Sequence, residues 1–136
     1  MKIFLATPKS MPIEEATQVR ERIETFVQEV YPAASVVLAS DEFKRMSGAF
    51  DGWAGWASHV ATGVDYATRK LQYGVVILPG PVMGKATATI VELRLASRHP
   101  VVMWDGKGFQ KVVAVNTVDP EDYVKGWEAL VASQVH

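Results

Sequence analysis

The residues best suited to chemistry lie on a predicted helix that follows a proline–glycine turn. Glu92 stands one to two turns into this helix, and Thr89 lies three residues before it on the same helical face. A carboxylate in this position can project into a crevice beside the ends of the neighbouring strands. A solvated surface glutamate explains the same spacing, because glutamate is seldom buried without a partner. Both interpretations of Glu92 stay open on spacing alone.

The start of the same helix is a candidate anion site. Gly84, Lys85 and Thr87 stand where the helix begins, and a helix start offers unpaired backbone N–H groups and the positive end of the helix dipole. Lys9, in the turn after the first predicted strand, adds a second cation at the same end of the sheet. We therefore expect a phosphate, if the ligand carries one, to bind between Lys9 and this helix start.

A predicted βαβ unit from Val75 to Asp105 positions these residues. The apolar run 75–78 indicates a strand buried on both faces, the run 86–98 has helical spacing, and the run 101–104 indicates a second buried strand. In open α/β sheets the ligand lies outside the carboxyl ends of the strands. The turn at 79–87 is therefore the first place to look for a substrate.

Further elements flank this unit. Ser10 can cap a first helix that has Pro12 in its first turn, and Asp119 can cap a last helix that has Pro120 at its first position. A middle helix from about Trp53 or Trp56 to Leu71 has apolar residues at helical spacing. The stretch 41–55 is less regular, and its residues do not settle a conformation. Strands are predicted at 2–6, 35–39 and 112–115, and the apolar face of the last helix would be Tyr123, Trp127, Leu130 and Val131.

Five strands alternating with helices predict a single α/β domain over residues 1–136. We expect a three-layer sandwich with a five-stranded parallel sheet and right-handed crossovers. The strand order 2-1-3-4-5, as in flavodoxin-like and Rossmann-like folds, is the common solution for five such units and is inferred by analogy.

Composition limits the partners. The 136 residues carry a formal net charge of −1, which gives no general attraction to nucleic acid polymers or anionic membranes. The chain has no cysteine, so thiolate chemistry is excluded, and no apolar run approaches the length of a membrane span. We expect a cytoplasmic protein with a small-molecule ligand. The sequence contains no phosphate-binding P-loop and no dinucleotide motif, and its histidines do not have the spacing of metal ligands. No cofactor and no metal are therefore expected.

The motif around Glu92 resembles a known enzyme family. Ala88, Thr89 and Glu92 form A-T-x-x-E after a strand that ends in a P-G turn, and this is similar to the motif of the nucleoside 2-deoxyribosyltransferase family, which includes 2′-deoxynucleoside 5′-monophosphate N-glycosidases. The resemblance implies that Glu92 is a nucleophile that attacks the anomeric carbon of the sugar. It implies cleavage or transfer at the N-glycosidic bond, through an oxocarbenium-like state that a carboxylate can stabilise and capture.

The resemblance extends to two further segments. Asp65 begins DYATRKLQYGVVIL, similar to the family's aspartate before the third strand, and would assist the leaving base or orient the sugar. IFLATPKS resembles the family's first strand and turn, so Thr7 and Lys9 would lie near the sugar or a 5′-phosphate. Solvated surface residues remain the alternative for Asp65 and Lys9. A nucleotide-binding domain without catalysis, on the same scaffold, is the alternative function.

The motif departs from the family pattern at three places. Ala88 stands where the family usually has glycine, and Ala86 stands where it has aspartate or serine. The interval from Glu92 to Pro100 is about two residues shorter than usual. The change at Ala86 weakens the prediction of 5′-end recognition, and the shorter interval puts the position of the glutamate in question.

Aromatic residues cluster between the second and third predicted strands. Phe50, Trp53 and Trp56 could form a lid that stacks on a base, or a surface that joins a second subunit, and packing is the more common role for aromatics at this spacing. Because the family often completes its sites across subunits, we expect a homodimer or a higher homo-oligomer. An interaction module that uses GWAGW as its contact surface is a further alternative.

Overall fold

A computed structural model of the chain describes residues 1–46, 48–80, 83–115 and 117–124. The described residues form four helices and six strands. In chain order they are β1 (Lys2–Leu5), α1 (Ile13–Gln28), β2 (Ser35–Leu38), α2 (Ala39–Arg45), α3 (Gly52–Thr62), β3 (Val75–Leu78), α4 (Lys85–Ala96), β4 (Val101–Trp104), β5 (Phe109–Ala114) and β6 (Thr117–Val124). Within these residues, no helix combines the length and the apolar character that a membrane span requires.

The strands form one mixed sheet in the order β2-β1-β3-β4-β5-β6. β1 to β4 are parallel, with Phe4 opposite both Val37 and Val76. The predicted α/β class and the predicted order 2-1-3-4-5 are confirmed. The short apolar runs are typical of parallel strands, because such strands are covered on both faces. All four residues of β3 are buried.

Helices cover both faces of the sheet and give it three layers. Alternate strand residues such as Ile3 and Ile77 pack with α1 on one face. The residues between them, including Phe4 and Val76, pack with α3 and α4 on the other face. This alternation follows from the two-residue period of a strand. The core therefore lies on both sides of β1 and β3, the central strands of the parallel part.

The fifth strand differs from the prediction in its direction. β5 runs antiparallel to β4, with Trp104 opposite Phe109. The Asp105 carboxylate accepts hydrogen bonds from the backbone N–H groups of Lys107 (2.8 Å) and Gly108 (2.9 Å), which closes a tight turn. So short a connection allows only an antiparallel hairpin, since a parallel partner needs a crossover of a dozen or more residues.

The predicted last helix is wrong over the residues that the structure describes. Residues 117–124 form β6, antiparallel to β5, so Asp119 and Pro120 do not begin a helix. Asp119 pairs with Lys111 and Tyr123 pairs with Gln110, which leaves Pro120 in an irregular segment between the two pairs. Proline is tolerated at such irregularities because its missing N–H is not needed there. Trp127, Leu130 and Val131, predicted for the same helix, lie outside the described residues.

Two helix ends also differ from the predictions. α3 ends at Thr62 instead of near Leu71, because the Asp65 carboxylate accepts hydrogen bonds from the N–H groups of Ala67 and Thr68 and folds the chain into a turn. α1 begins at Ile13 without a cap from Ser10. A hydrogen bond from the Met11 N–H to the Pro8 carbonyl places Ser10 inside a turn, before the position that could cap the helix.

The Arg94 guanidinium is fully buried and joins three segments at the amino edge of the sheet. Its five N–H groups donate hydrogen bonds of 3.0–3.2 Å to the carbonyls of Ala61, Tyr73, Gly74 and Pro100. These carbonyls belong to the end of α3 and to the residues that precede β3 and β4. Burial lowers the pKa of Arg94 to about 10, so the group remains charged at neutral pH.

A second charged group is buried beside β1. The Glu42 carboxylate contacts the Lys2 ammonium at 2.8 Å and the Arg45 guanidinium at 2.6 Å. Burial alone would raise the pKa of Glu42, but hydrogen bonds from Lys2 and Arg45, together with their charges, bring it below its ordinary value. Burial and the Glu42 charge raise the pKa of the neighbouring Tyr73 hydroxyl, which stays neutral. This cluster holds α2 against the sheet.

The outer edge of β2 is closed by side chains of α1. The Glu24 carboxylate accepts a hydrogen bond of 3.0 Å from the Val36 N–H, and the Gln28 amide donates one of 2.8 Å to the Ala34 carbonyl. An exposed strand edge can pair with another chain, and native proteins block such edges. Pairing of two copies through the middle of β2 is therefore disfavoured.

We predict that Arg94→Met lowers the free energy of unfolding by at least about 3 kcal/mol, because buried carbonyls lose their donors at about 1 to 3 kcal/mol each. Urea denaturation measures this change. Arg94→Lys restores the charge and some of the donors, and should recover part of the loss. Arg22→Ala, at an exposed position of α1, serves as the control and should change stability little. An Arg94→Met protein as stable as the unmutated chain would contradict the role assigned to Arg94.

We also predict that Glu42→Gln lowers the free energy of unfolding at neutral pH by about 1 to 3 kcal/mol, because two cations lose their anionic partner. A carboxyl whose folded pKa is depressed stabilises the fold above its unfolded pKa, and this contribution is lost as the pH falls through the folded pKa. The difference between Glu42→Gln and the unmutated protein should therefore shrink as the pH falls below the ordinary value of 4.5.

Urea denaturation over a series of pH values measures this difference. Glu92→Gln, at an exposed position, makes the same chemical change outside the buried cluster and serves as the control for stability at neutral pH. A stability difference for Glu42→Gln that stays constant through the acid range would contradict the interpretation.

Candidate functional site

A crevice lies at the carboxyl ends of β1 and β3, the two central strands of the parallel part of the sheet. β1 and β3 are neighbours, but the chain leaves β1 toward α1 on one face and leaves β3 toward α4 on the other. Loops that diverge in this way leave a gap, which is the usual ligand position in open α/β sheets. The crevice has a volume of about 320 Å³ and is lined by Pro8, Ser10, Met11, Pro12, Glu15, Pro79 and Gly80.

The first loop of the crevice is constrained by prolines and by backbone hydrogen bonds, and the second loop begins at a proline. Pro8 and Pro12 fix the backbone of the first loop, and Pro79 fixes the start of the second. The Ala6 N–H donates to the Ile77 carbonyl at 2.9 Å, which ties the two strand ends together. This bond holds the carboxyl ends of β1 and β3 beside each other.

The polar groups on the α1 side of the crevice are of mixed charge. Ser10 contributes a hydroxyl and Glu15 a carboxylate to its lining. Lys9, between the lining residues Pro8 and Ser10, is exposed, and Thr7 is half-buried at the end of β1. The predicted residues Thr7 and Lys9 therefore lie in the loop that forms one wall. This wall can offer a cation, a hydroxyl and a carboxylate to a ligand.

Glu15 lines the crevice and was not predicted as a site residue, whereas Gly80 belongs to the turn at 79–87 where a substrate is expected. The sequence does show that each of the two loops follows directly on a buried strand, β1 or β3. Strand order was needed to bring the two loops together.

The start of α4 carries the other predicted binding residues. Gly84 precedes the helix, and no described side chain caps it. The Lys85 ammonium lies over the Trp53 ring, 5.8 Å from its centre. The Thr89 hydroxyl donates to the Lys85 carbonyl at 3.1 Å, so it bonds within its own helix. Thr87 is half-buried in the first turn.

Glu92 is exposed on the outward side of α4. The buried residues of this helix are Ile90, Val91 and Arg94, and successive helical residues are rotated by about 100°. Arg94, two residues later, bonds to carbonyls that precede β3 and β4. Glu92 therefore lies toward the amino half of the sheet and is not part of the crevice lining.

Asp65 also lies away from the crevice. It stands in the turn between α3 and β3, where its carboxylate accepts N–H groups at 2.8 and 3.0 Å. This turn leads into the amino end of β3, whereas the crevice is at the carboxyl ends. The structure therefore does not bring Asp65 together with Thr7 and Lys9, and it gives Asp65 the contacts of a turn residue.

A larger depression of about 500 Å³ runs along α1. Its lining includes Arg22 and Phe26 of α1 and Glu29 directly after this helix, with Trp104 and Gly106 near the β4–β5 turn. It lies beside one helix and does not join two diverging loops at the strand ends. Position in the fold therefore favours the smaller crevice as the candidate site.

The pKa values of His59 and His99 are both lowered. Burial and the nearby Arg45 charge lower the pKa of His59, and burial and the Arg94 charge lower the pKa of His99. In residues 1–46, 48–80, 83–115 and 117–124, no group of three or more histidine and carboxylate side chains is placed to hold a metal ion.

Comparisons with protein-family models, with characterised proteins and with solved structures found no match to this chain. The resemblance to the nucleoside 2-deoxyribosyltransferase family therefore rests on the motif residues quoted above.

Proposed function

We propose that this chain binds a nucleoside or a nucleoside 5′-monophosphate in the crevice between β1 and β3. The observation that carries the proposal is the position of the crevice at the point where the chain leaves two adjacent parallel strands in opposite directions. The motif resemblance supplies the ligand class. The prolines in the walls support binding, because they restrict the backbone and so reduce the conformational entropy lost when a ligand is held.

Binding without cleavage is the form of the proposal that the geometry supports better. A nucleophile must approach the anomeric carbon to about 3–3.5 Å. Glu92 is exposed on the outward side of α4, and Asp65 is occupied in a turn. Glu15 lines the crevice, but its place matches no residue of the family motif. We therefore propose a nucleotide-binding domain and treat glutamate-dependent N-glycosidic cleavage as the competing function.

We propose that a 5′-phosphate, when present, contacts Lys9. Lys9 is exposed between two residues of the crevice wall, whereas Lys85 already contacts the Trp53 ring. Glu15 in the same wall disfavours an anion close to the start of α1. A phosphate would therefore extend toward Lys9 and away from Glu15.

We predict that Gly80→Leu weakens the binding of 2′-deoxyadenosine 5′-monophosphate by at least about tenfold, since the added side chain competes with the ligand for space. A Cβ at Gly80 meets no atom within 4 Å, so the substitution should leave the fold intact. Isothermal titration calorimetry measures the affinity. Ala96→Leu, at the exposed end of α4, adds the same side chain outside the crevice and should bind normally.

Base release tests the competing function on the same proteins. Incubation of the unmutated chain with nucleosides and their monophosphates, with and without an acceptor base, should release no free base. Base release that disappears in Glu92→Gln would contradict the binding proposal and support the glutamate mechanism. Tight binding by Gly80→Leu would show that the ligand lies elsewhere.

We predict that Lys9→Ala weakens the binding of the monophosphate about tenfold and leaves the binding of the nucleoside unchanged, because one charge-assisted contact is lost. Calorimetry with both ligands measures the two affinities. Lys44→Ala, at an exposed position of α2, removes the same charge away from the crevice. Equal affinity of the unmutated protein for nucleoside and monophosphate would contradict a phosphate site at Lys9.

Homo-oligomer formation and a cytoplasmic location stay predictions. The aromatic cluster offers less surface to a partner than its composition suggests, since Trp56 is buried and Phe50 packs against the His59 ring at 4.8 Å. Light scattering determines whether the 14.9 kDa chain associates.

A further inference from the structure

Trp53 and Lys85 form an exposed pair at the starts of two helices. The Lys85 ammonium lies 5.8 Å from the centre of the Trp53 ring. Trp53 is 42% exposed, whereas Trp56 and Trp104 are 7% and 8% exposed. Of these three indoles, Trp53 alone presents a large part of its ring to solvent.

The pair lies at the same edge of the sheet as the crevice. α3 and α4 run in the same direction, because Trp53 at the start of α3 meets Lys85 at the start of α4, while Ala61 near the end of α3 bonds to Arg94 near the end of α4. α4 follows the carboxyl end of β3, and Gly80 of the crevice lining follows the same strand end. Trp53 therefore lies near this strand end, on the α4 side of the sheet.

Packing does not account for an indole at this position. The core beneath α3 is filled by Trp56, Ala57, Val60 and Ala61, and an exposed cation–π contact contributes little to stability. An exposed indole face suits a flat aromatic ligand group, since bases stack on aromatic side chains whatever their sequence identity. Asp51 precedes the helix start, and its charge disfavours a phosphate there.

We propose that Trp53 stacks on the base of the bound nucleotide, while the phosphate lies on the Lys9 side of the crevice. This inference rests on the proposed function and assigns the two ends of the ligand to the two sides of the sheet. Lys85 holds one face of the indole. The base occupies the opposite face, or takes the place of the Lys85 ammonium.

The test compares two ligands that differ only by the base, 2′-deoxyadenosine 5′-monophosphate and 2-deoxyribose 5-phosphate. Trp53→Leu keeps an apolar side chain but removes the flat ring. It should bind the nucleotide about tenfold more weakly and the sugar phosphate with unchanged affinity. Trp53→Phe should recover part of the nucleotide affinity. Tyr66→Ala, at a 93% exposed aromatic in the turn after α3, is the matched control and should bind both ligands normally.

The outcomes separate this inference from the proposed function. Nucleotide binding that is unchanged in Trp53→Leu would overturn the stacking role and leave the crevice proposal intact. An equal loss of affinity for both ligands would also overturn it, since the base would not be what Trp53 contacts. Failure of the unmutated protein to bind either ligand would overturn both proposals. Thermal unfolding verifies that the variants fold. If Trp53→Leu does not fold, a full nucleotide affinity in Trp53→Gln, which has no ring, overturns the stacking role.

Discussion

The architecture depends on one buried cation. Arg94 donates all five of its N–H groups to backbone carbonyls at the amino ends of β3 and β4 and at the end of α3. Burying a charge without a carboxylate is costly unless every donor finds an acceptor, and here every donor does. The segments that supply these carbonyls must therefore meet in one arrangement. This requirement holds α3 and α4 against the sheet, with the ends of both helices at its amino edge.

The polar bonds that stabilise the fold and the groups available to a ligand lie in different places. Arg94 and the Glu42 cluster secure the segments around the starts of β1 and β3, and Glu24 closes the outer edge of β2. The crevice at the carboxyl ends keeps Ser10, Glu15 and the adjacent Lys9 accessible. The separation of the stabilising bonds from the accessible polar groups supports a ligand-binding role for the carboxyl edge.

Local patterns in the sequence predicted α1, α4 and the first four strands, because buried parallel strands and amphipathic helices have distinct periodicities. The strand order 2-1-3-4-5 came from analogy with other α/β folds. Local patterns failed where a contact distant in the sequence decided the structure. Asp119 and Pro120 form a good helix start, but strand pairing with Lys111 and its neighbours prevails. Arg94 was not identified, since an arginine on a helix normally lies in water and only the assembled amino edge supplies its acceptors.

The candidate site was predicted only in part, because it too depends on contacts between residues that are distant in the sequence. The carboxyl edge follows from the fold class, and Thr7 and Lys9 belong to the loop whose other residues line the crevice. The orientation of Glu92 depends on which face of α4 the buried Arg94 selects, and the motif spacing cannot reveal this. The division of Trp53 and Trp56 between surface and core likewise depends on how α3 is rotated on the sheet.

The most direct test of the account is an amide-resolved NMR titration of the unmutated chain with 2′-deoxyadenosine 5′-monophosphate. The account predicts saturable shifts at Ser10, Met11 and Gly80, which line the crevice, with little change at Glu92 and Asp65. Shifts centred on Glu92, or no saturable shift at the crevice residues, would contradict it.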